Sequence, residues 1–378
     1  MIDYDILRVI WWALLGILLI GFAVLDGYDL GSAMLLPFVA HTNSERRQVR
    51  EAIEPTWEGH QVWFVLGGGA SFAAWPILYG VSFSGFYVAM FLVLLALIVR
   101  PVGFNFRDKI DSPKWRNAWD WTLSIGGFVP SLVFGVAFGN LLLGVPFNLD
   151  HDFRLAYAGT FFGLLNPFGL WAGLVSVAML VTHGGAWLAL KSDGAVRERA
   201  ARVMRWSAVA TAILFAAAGL WVAFGIDGYT VTNALSHTGP SNPLSKTVSH
   251  TAGAWLANYY AYPWLLIAPL LGIAAPLIST LLSRLKAVTC AFLASALGIA
   301  GIIATAGVSM FPFLMPSSTH PEASLTVWDS SSSQLTLFIM LIVALVFLPI
   351  VLLYTGFVLR VMRGPVRIAD VERHESLY

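Results

Sequence analysis

Residues 8–36 read RVIWWALLGILLIGFAVLDGYDLGSAMLL: an unbroken apolar run from Val9 to Leu25, then Asp26 and Asp29, then apolar character again. A helix needs about 20 apolar residues to cross the hydrocarbon core of a bilayer, so this run reads as a transmembrane helix with length to spare. A secretory leader would be followed by a small-residue cleavage site. Here Leu25-Asp26-Gly27-Tyr28-Asp29 follows, which predicts that the helix stays and serves as the insertion signal.

The rest of the chain repeats the pattern. Of 378 residues, 58% are hydrophobic and only 11% are charged, against about 25% in a soluble domain. The net charge of +1 excludes a bulk electrostatic case for nucleic-acid binding. Nine segments are long and apolar enough to span: about 8–36, 51–74, 77–100, 121–142, 160–189, 206–225, 262–283, 287–311 and 334–360. The expected fold is an all-α polytopic membrane protein in which residues 1–378 form one membrane domain. Nine crossings place nineteen of the 22 Lys and Arg residues on one side, leaving only Arg8, Arg154 and Lys246 opposite. Cations collect on the cytoplasmic side, so the amino terminus is expected outside and the carboxyl terminus in the cytoplasm. The longest outer segment, about Asp227 to Tyr262, reads as an ordered loop rather than a domain.

Acidic groups inside a membrane cost several kcal/mol unless paired, protonated or hydrated, and are functional candidates by default. Asp26 and Asp29 share a helix face three residues apart, roughly 27–32 Å along from Arg8 and therefore toward the inner end. The second segment returns from that end carrying Glu54 and Glu58, with His60 and Gln61 continuing its polar stripe. Acids gathered this way suit a proton relay. The competing reading is a hydrated cluster paired with Arg46, Arg47 and Arg50. Asp120 and Asp329 are expected at helix starts, where capping is the plain role.

Other chemistry finds little support. Cys290 is the single cysteine, without disulfide or CxxC partner, and reads as a buried small apolar residue. No Walker, GxSxG or HExxH motif occurs, and no metal site is expected. His60 and His183 lie within predicted helices; His41, His151, His237, His250, His320 and His374 fall in loops or the tail. Met179 lies one turn before His183, a pairing haem can use, but His183-Gly184-Gly185 looks like close packing instead. Gly67-Gly68-Gly69-Ala70, Gly126-Gly127 and Gly135 with Gly139 are expected at helix contacts.

Several longer motifs are specific enough to carry a resemblance. Gly21-Phe22-Ala23-Val24-Leu25-Asp26-Gly27-Tyr28-Asp29, Trp57-Glu58-Gly59-His60-Gln61-Val62-Trp63 and Arg100-Pro101-Val102-Gly103-Phe104 are similar to subunit II of the cytochrome bd quinol oxidases. So are Gly135-Val136-Ala137-Phe138-Gly139-Asn140, Asn166-Pro167-Phe168-Gly169, Phe311-Pro312-Phe313-Leu314-Met315-Pro316 and Ser324-Leu325-Thr326-Val327-Trp328-Asp329. The resemblance spans essentially the whole chain. It implies half of a heterodimeric oxidase of the bacterial respiratory chain, in the cytoplasmic (inner) membrane, coupling quinol oxidation to four-electron reduction of oxygen to water. It implies that subunit I ligates two haems b and one haem d, so that no haem is expected in this chain. It further implies two four-helix bundles plus one helix, a structural quinone and small single-helix partners in some members, and surrounding lipid.

By the same resemblance the proton route maps onto Asp26, Asp29 and Glu58, with Trp57, His60 and Glu54 supporting. Glu58 stands where the family more often has Asp, and His60 where it often has Asn. The longer acid would keep a route with altered geometry; His60 either titrates near neutral pH or donates one hydrogen bond, the reading favoured here. Trp57 is expected to pack beside the acids and limit their hydration. A proton-coupled secondary transporter is the alternative, although its midplane acids and paired repeats are wanting. A membrane scaffold without chemistry is the third.

Overall fold

The computed structural model describes residues 2–233 and 236–373. In chain order its α-helices are α1 (Tyr4–Val39), α2 (Asn43–Glu51), α3 (Trp57–Ala74), α4 (Pro76–Gly85), α5 (Tyr87–Phe106), α6 (Pro113–Leu143), α7 (Pro167–Lys191), α8 (Gly194–Gly225), α9 (Ala257–Ala261), α10 (Ile267–Arg284), α11 (Val288–Met310), α12 (Gln334–Val361) and α13 (Ile368–Glu372). Eight of them, all but α2, α3, α4, α9 and α13, are long and apolar enough to cross a membrane. The expected segment 51–74 forms as α3, 18 residues long. Its polar start at Glu58, His60 and Gln61, followed by Gly67 to Gly69, keeps it out of that set of eight.

Several boundaries differ from the expected segments, such as 160–189, which starts as an α-helix only at Pro167; three have a plain local reason. Segment 77–100 is broken at Phe86 into α4 and α5, and α5 then runs on to Phe106, so Arg100 lies inside a helix. Segment 121–142 starts instead at Pro113, whose fixed φ suits a first helical position. Asp120 is therefore in the second turn of α6 and not a cap. Segment 206–225 is preceded by twelve residues rich in Ala, Arg and Glu, good helix formers that extend α8 back to Gly194. Elsewhere the caps are as the residues dictate. Thr42 and Glu45 form a reciprocal capping box on α2, the Asn166 side chain accepts from Gly169 N–H at 2.7 Å, and Ser333 accepts from Thr336 N–H at 3.2 Å.

Helices α1, α3, α5 and α6 pack as one group and α7, α8, α10 and α11 as a second, with α12 against α1 and α3. The seam between the groups is built on small residues. A Cβ on Gly31 of α1 would lie 2.0 Å from the Leu180 carbonyl oxygen of α7, and one on Gly184 would lie 2.3 Å from the Gly31 backbone. Gly135 of α6 meets the Ala172 carbonyl of α7 in the same way, and within the first group Gly127 of α6 meets the Leu30 carbonyl of α1. These contacts let backbones approach where side chains would hold them apart. Gly68 and Gly69, in contrast, face open space. Glu58, Val62, Val65, Gly69 and Phe72 form one exposed stripe along α3. Cys290 is exposed on the first turn of α11, not buried; on a lipid-facing surface an apolar residue has no reason to be inside.

Three antiparallel hairpins cap the end of the bundle opposite α2. They are β1 (Phe147–Leu149) with β2 (Leu155–Tyr157), β3 (Asp227–Val231) with β4 (Val248–Ala252), and β5 (Phe313–Met315) with β6 (Leu325–Thr326). Buried charges pin the long segment after β3. Arg8 donates to the carbonyls of His237 (2.6 Å) and Gly239 (3.1 Å) and to the hydroxyls of Ser241 and Ser331. Lys246 Nζ lies 2.8 Å from Asp329, which also accepts from Thr326 N–H at 2.9 Å. Asp329 thus lies ahead of α12 and bonds to a loop cation rather than capping a helix.

Candidate functional site: buried acids in the second half of α1

Asp26 and Asp29 are fully buried. They are reached from different neighbours. Arg100 of α5, also fully buried, points Nη1 at both Asp26 oxygens, at 3.1 and 3.4 Å. Its Nε and Nη2 have no partner, and its guanidinium carbon lies 5.7 Å from the centre of the Trp57 ring, near the limit of cation–π attraction. Asp29 Oδ2 accepts from His60 Nδ1 at 2.7 Å, while its Oδ1 is buried without a partner. A second ring contact continues the chain: His60 Nε2 is 3.3 Å from the Tyr28 hydroxyl, which is 3.4 Å from Thr56 Oγ1. Tyr28 is stacked on Trp187 at 4.0 Å. The two acids therefore sit in separate, tightly held arrangements, one ionic and one on an imidazole.

The sequence-predicted residues are only partly brought together. His60 lies on the fourth residue of α3 and turns inward to Asp29, and Trp57 is buried beside Arg100. Glu58 is one residue further round from Trp57 and points outward, on the exposed stripe; among the described residues it makes no hydrogen bond to either aspartate. Glu54 lies in the turn before α3, 3.7 Å from Arg50. Burial pushes its carboxyl above the ordinary value even with that cation nearby.

A second ionic cluster ties α2 to the α5–α6 connection. Buried Asp120 accepts from Arg107 (2.6 and 3.1 Å) and Arg46 (2.7 Å), and Asp108 accepts from Arg50 (2.5 Å) and Arg107 (2.7 Å). Burial works against the Asp108 charge, but Arg50 and Arg107 outweigh it and hold the carboxyl below its ordinary value. The arginines expected to neutralise Glu54 and Glu58 are thus mainly spent on Asp120, Asp108 and Glu51, with Arg50 alone touching Glu54.

Sequence reasoning missed Arg100 as a member of the site, since it stands at the last residue of the expected segment 77–100. Its signal was there: a cation before Pro101 and beside an apolar run requires a buried acid partner if the helix continues. Tyr28 was missed too, for want of any sign that a tyrosine would bridge His60 and Thr56.

Neither helical histidine offers iron a free ring nitrogen. Both His60 nitrogens are engaged as described. His183 uses Nε2 on the Val24 carbonyl (2.9 Å) and Nδ1 on Ser295 (2.7 Å), with its ring stacked on Phe292 at 4.6 Å. Met179 is packed among Leu30, Val93 and Ile299. The set does not fit a haem, among the described residues no His, Cys, Asp and Glu cluster suits a metal, and His374 lies outside those residues.

Comparison with known proteins places this geometry in context. A family model described as cytochrome bd terminal oxidase subunit II matches residues 7–362. The chain is 53% identical to cytochrome bd-I ubiquinol oxidase subunit 2 of Escherichia coli, over the full length of both. It is 51% identical to a probable cytochrome oxidase subunit 2 of Haemophilus influenzae over the full length of both, and 30% identical to cytochrome bd ubiquinol oxidase subunit 2 of Bacillus subtilis over 91% of this chain and 92% of that one. A chain of the bd oxidase structure from Geobacillus thermodenitrificans superposes with a TM-score of 0.68 at 16% identity, covering 94% of this chain and 98% of that one, and so shares the fold. With the match running from the Arg8 anchor through both buried aspartates to the end of α12, the chain belongs to the cytochrome bd terminal oxidase subunit II family.

Proposed function

We propose that this subunit of a terminal quinol oxidase brings protons from the cytoplasm to an oxygen-reducing partner, by a route that starts at the inner end of α1. The reading is carried by one observation: two fully buried carboxylates, one with an unpartnered oxygen, sit beside a helix whose outward stripe begins with Glu58. Asp29 and His60 form the inward part of the route, and Glu58 faces outward, where a partner's helices or lipid must lie. The supporting residues divide by geometry. Arg100 holds Asp26 with Trp57 beside its guanidinium, while Glu54 and its neighbours gather at the inner mouth.

In this reading the amino terminus is outside, the carboxyl terminus is cytoplasmic, and the membrane is the bacterial inner membrane. Subunit I binds the two haems b and haem d and oxidises the quinol, which fits a chain whose histidine nitrogens are all engaged in hydrogen bonds at the two helical positions. Reducing one oxygen molecule consumes four protons. Drawing them from the cytoplasm while quinol releases its own outside generates a proton-motive force without a pump. The long exposed face of α12 has room for small single-helix subunits, and a structural quinone would fit the apolar cavity of about 700 Å³ bounded by Phe22, Leu30, Phe134, Met179 and Ile303.

The test is quinol-dependent oxygen uptake by the purified complex carrying Asp29→Asn or Glu58→Gln. The expected result is a loss on the order of 100-fold, the scale of a removed proton-transfer group, with the haem spectrum intact. Full turnover with normal haem content in both variants refutes the route and leaves the scaffold reading.

A further inference from the structure

Between the start of α8 and the turn joining α10 to α11 lies a concavity of about 560 Å³. Its wall carries Arg197, Arg202 and Arg205 from α8, Arg284 from the end of α10 and Lys286 from the turn, with Glu198 as the single acid. Among the described residues none of these five cations forms a salt bridge. On the same face Arg46, Arg47, Arg50, Arg107, Arg116 and Arg199 each hold a carboxylate. Among the described residues Lys109, Lys114, Arg360, Arg363 and Arg367 hold none either, but only the five cations of the wall line one hollow. Five like charges around one hollow repel one another, and a bound anion would relieve that.

A second observation concerns the lining of the same hollow. Ser283 lines it and is 7% exposed, yet its hydroxyl has no hydrogen-bond partner. A buried hydroxyl left unpaired costs about 1–3 kcal/mol, so a missing acceptor is the economical explanation. Phosphate oxygens are acceptors for both guanidinium and hydroxyl groups.

We propose that this concavity seats the phosphate of an anionic phospholipid. Lipid is favoured over a free phosphate by what stands one helical turn away. Trp206 follows Arg202 at four residues and is 74% exposed; Leu281 and Leu285 flank Arg284 and are 58% and 68% exposed. The headgroup cradle therefore continues directly into an apolar surface that acyl chains can cover, the arrangement of basic pockets between membrane helices that bind acidic lipid.

The experiment uses the assembled oxidase, stripped of lipid in mild detergent. It is titrated with phosphatidylglycerol, with phosphatidylethanolamine and with inorganic phosphate, and bound lipid is counted by native mass spectrometry. The expected result is a phosphatidylglycerol adduct that phosphatidylethanolamine does not reproduce and millimolar phosphate does not displace. Arg202→Gln/Arg284→Gln should weaken it roughly 25-fold, about fivefold for each cation lost. Arg202→Lys/Arg284→Lys keeps both charges and should retain it within a few-fold, which also guards against misfolding in the first variant. Lys109→Gln/Lys114→Gln removes two cations from elsewhere on the same face and should leave it unchanged. Equal binding of the two lipids, or equal weakening by the Lys109/Lys114 variant, overturns the site; displacement by phosphate assigns it to a soluble anion and overturns the lipid.

Discussion

Replacing Arg100 by Met leaves Asp26 buried with no cation. Both groups are fully buried, and Nη1 stands 3.1 Å from the nearer carboxylate oxygen. At an effective dielectric constant near 20, that separation corresponds to about 5 kcal/mol of gross attraction. Desolvation offsets much of it in the intact protein, but removing one partner exposes the desolvation term of the other, typically about 3–5 kcal/mol. The unpartnered Nε and Nη2 of Arg100 mean that little else holds the cation in place. Asp26→Leu alone should therefore cost a similar amount, while Arg100→Met/Asp26→Leu should recover a coupling energy of about 2–3 kcal/mol. The assay is equilibrium unfolding of the purified complex in mixed detergent–SDS micelles, followed by tryptophan fluorescence. Strict additivity of the two single changes would refute the assignment of Arg100 as the partner of Asp26.

Gly31→Ala or Gly184→Ala places a methyl group against backbone across the α1–α7 seam, so each should cost about 3 kcal/mol, the upper end of overpacking, seen as lost yield of monodisperse complex. Lys246→Met strands buried Asp329 and should lower stability by about 3–5 kcal/mol in the same unfolding assay. Tyr28→Phe removes the hydroxyl contacts to His60 and Thr56 but keeps the stack on Trp187, a cost of about 0.5–1.5 kcal/mol. Glu45 accepts from His41 and Thr42 N–H and from Arg199. Burial pushes its carboxyl up, yet these bonds outweigh it and the folded value lies below the ordinary one. Its contribution is thus present above the unfolded value and is lost as pH falls through the folded one, so Glu45→Gln should destabilise by about 1 kcal/mol at pH 7 and by progressively less below about pH 4.5.

The membrane helices and the buried aspartates were legible because apolar runs of this length have one stable solution in lipid, and an acid within one stands out. Helix ends were less so. Arg100 looked like a loop residue because Arg-Pro ordinarily ends an apolar segment, yet α5 continues for six residues beyond it. Asp120 looked like a cap because nothing in the sequence shows that Arg46 and Arg107 converge on it from two other elements. Glu58 was expected beside the aspartates from its distance along α3, but a helix turns about 100° per residue, which sets it about 100° from inward-facing Trp57 and about 160° from inward-facing His60. Axial position could be counted from the sequence; azimuth required knowing which face of α3 meets α1.

The seventeen residues from Val9 to Leu25 contain no group able to hold a proton on its side chain, and they separate Arg8 from Asp26 by about 27 Å of helix. That stretch is an electrical insulator. A membrane voltage of 100 mV acting across it corresponds to about 2.3 kcal/mol for each elementary charge. In the proposed orientation Asp26 and Asp29 sit at nearly the potential of the cytoplasm. Filling them from that side does little electrical work, so whatever charge movement the oxidase performs against the field must take place beyond them.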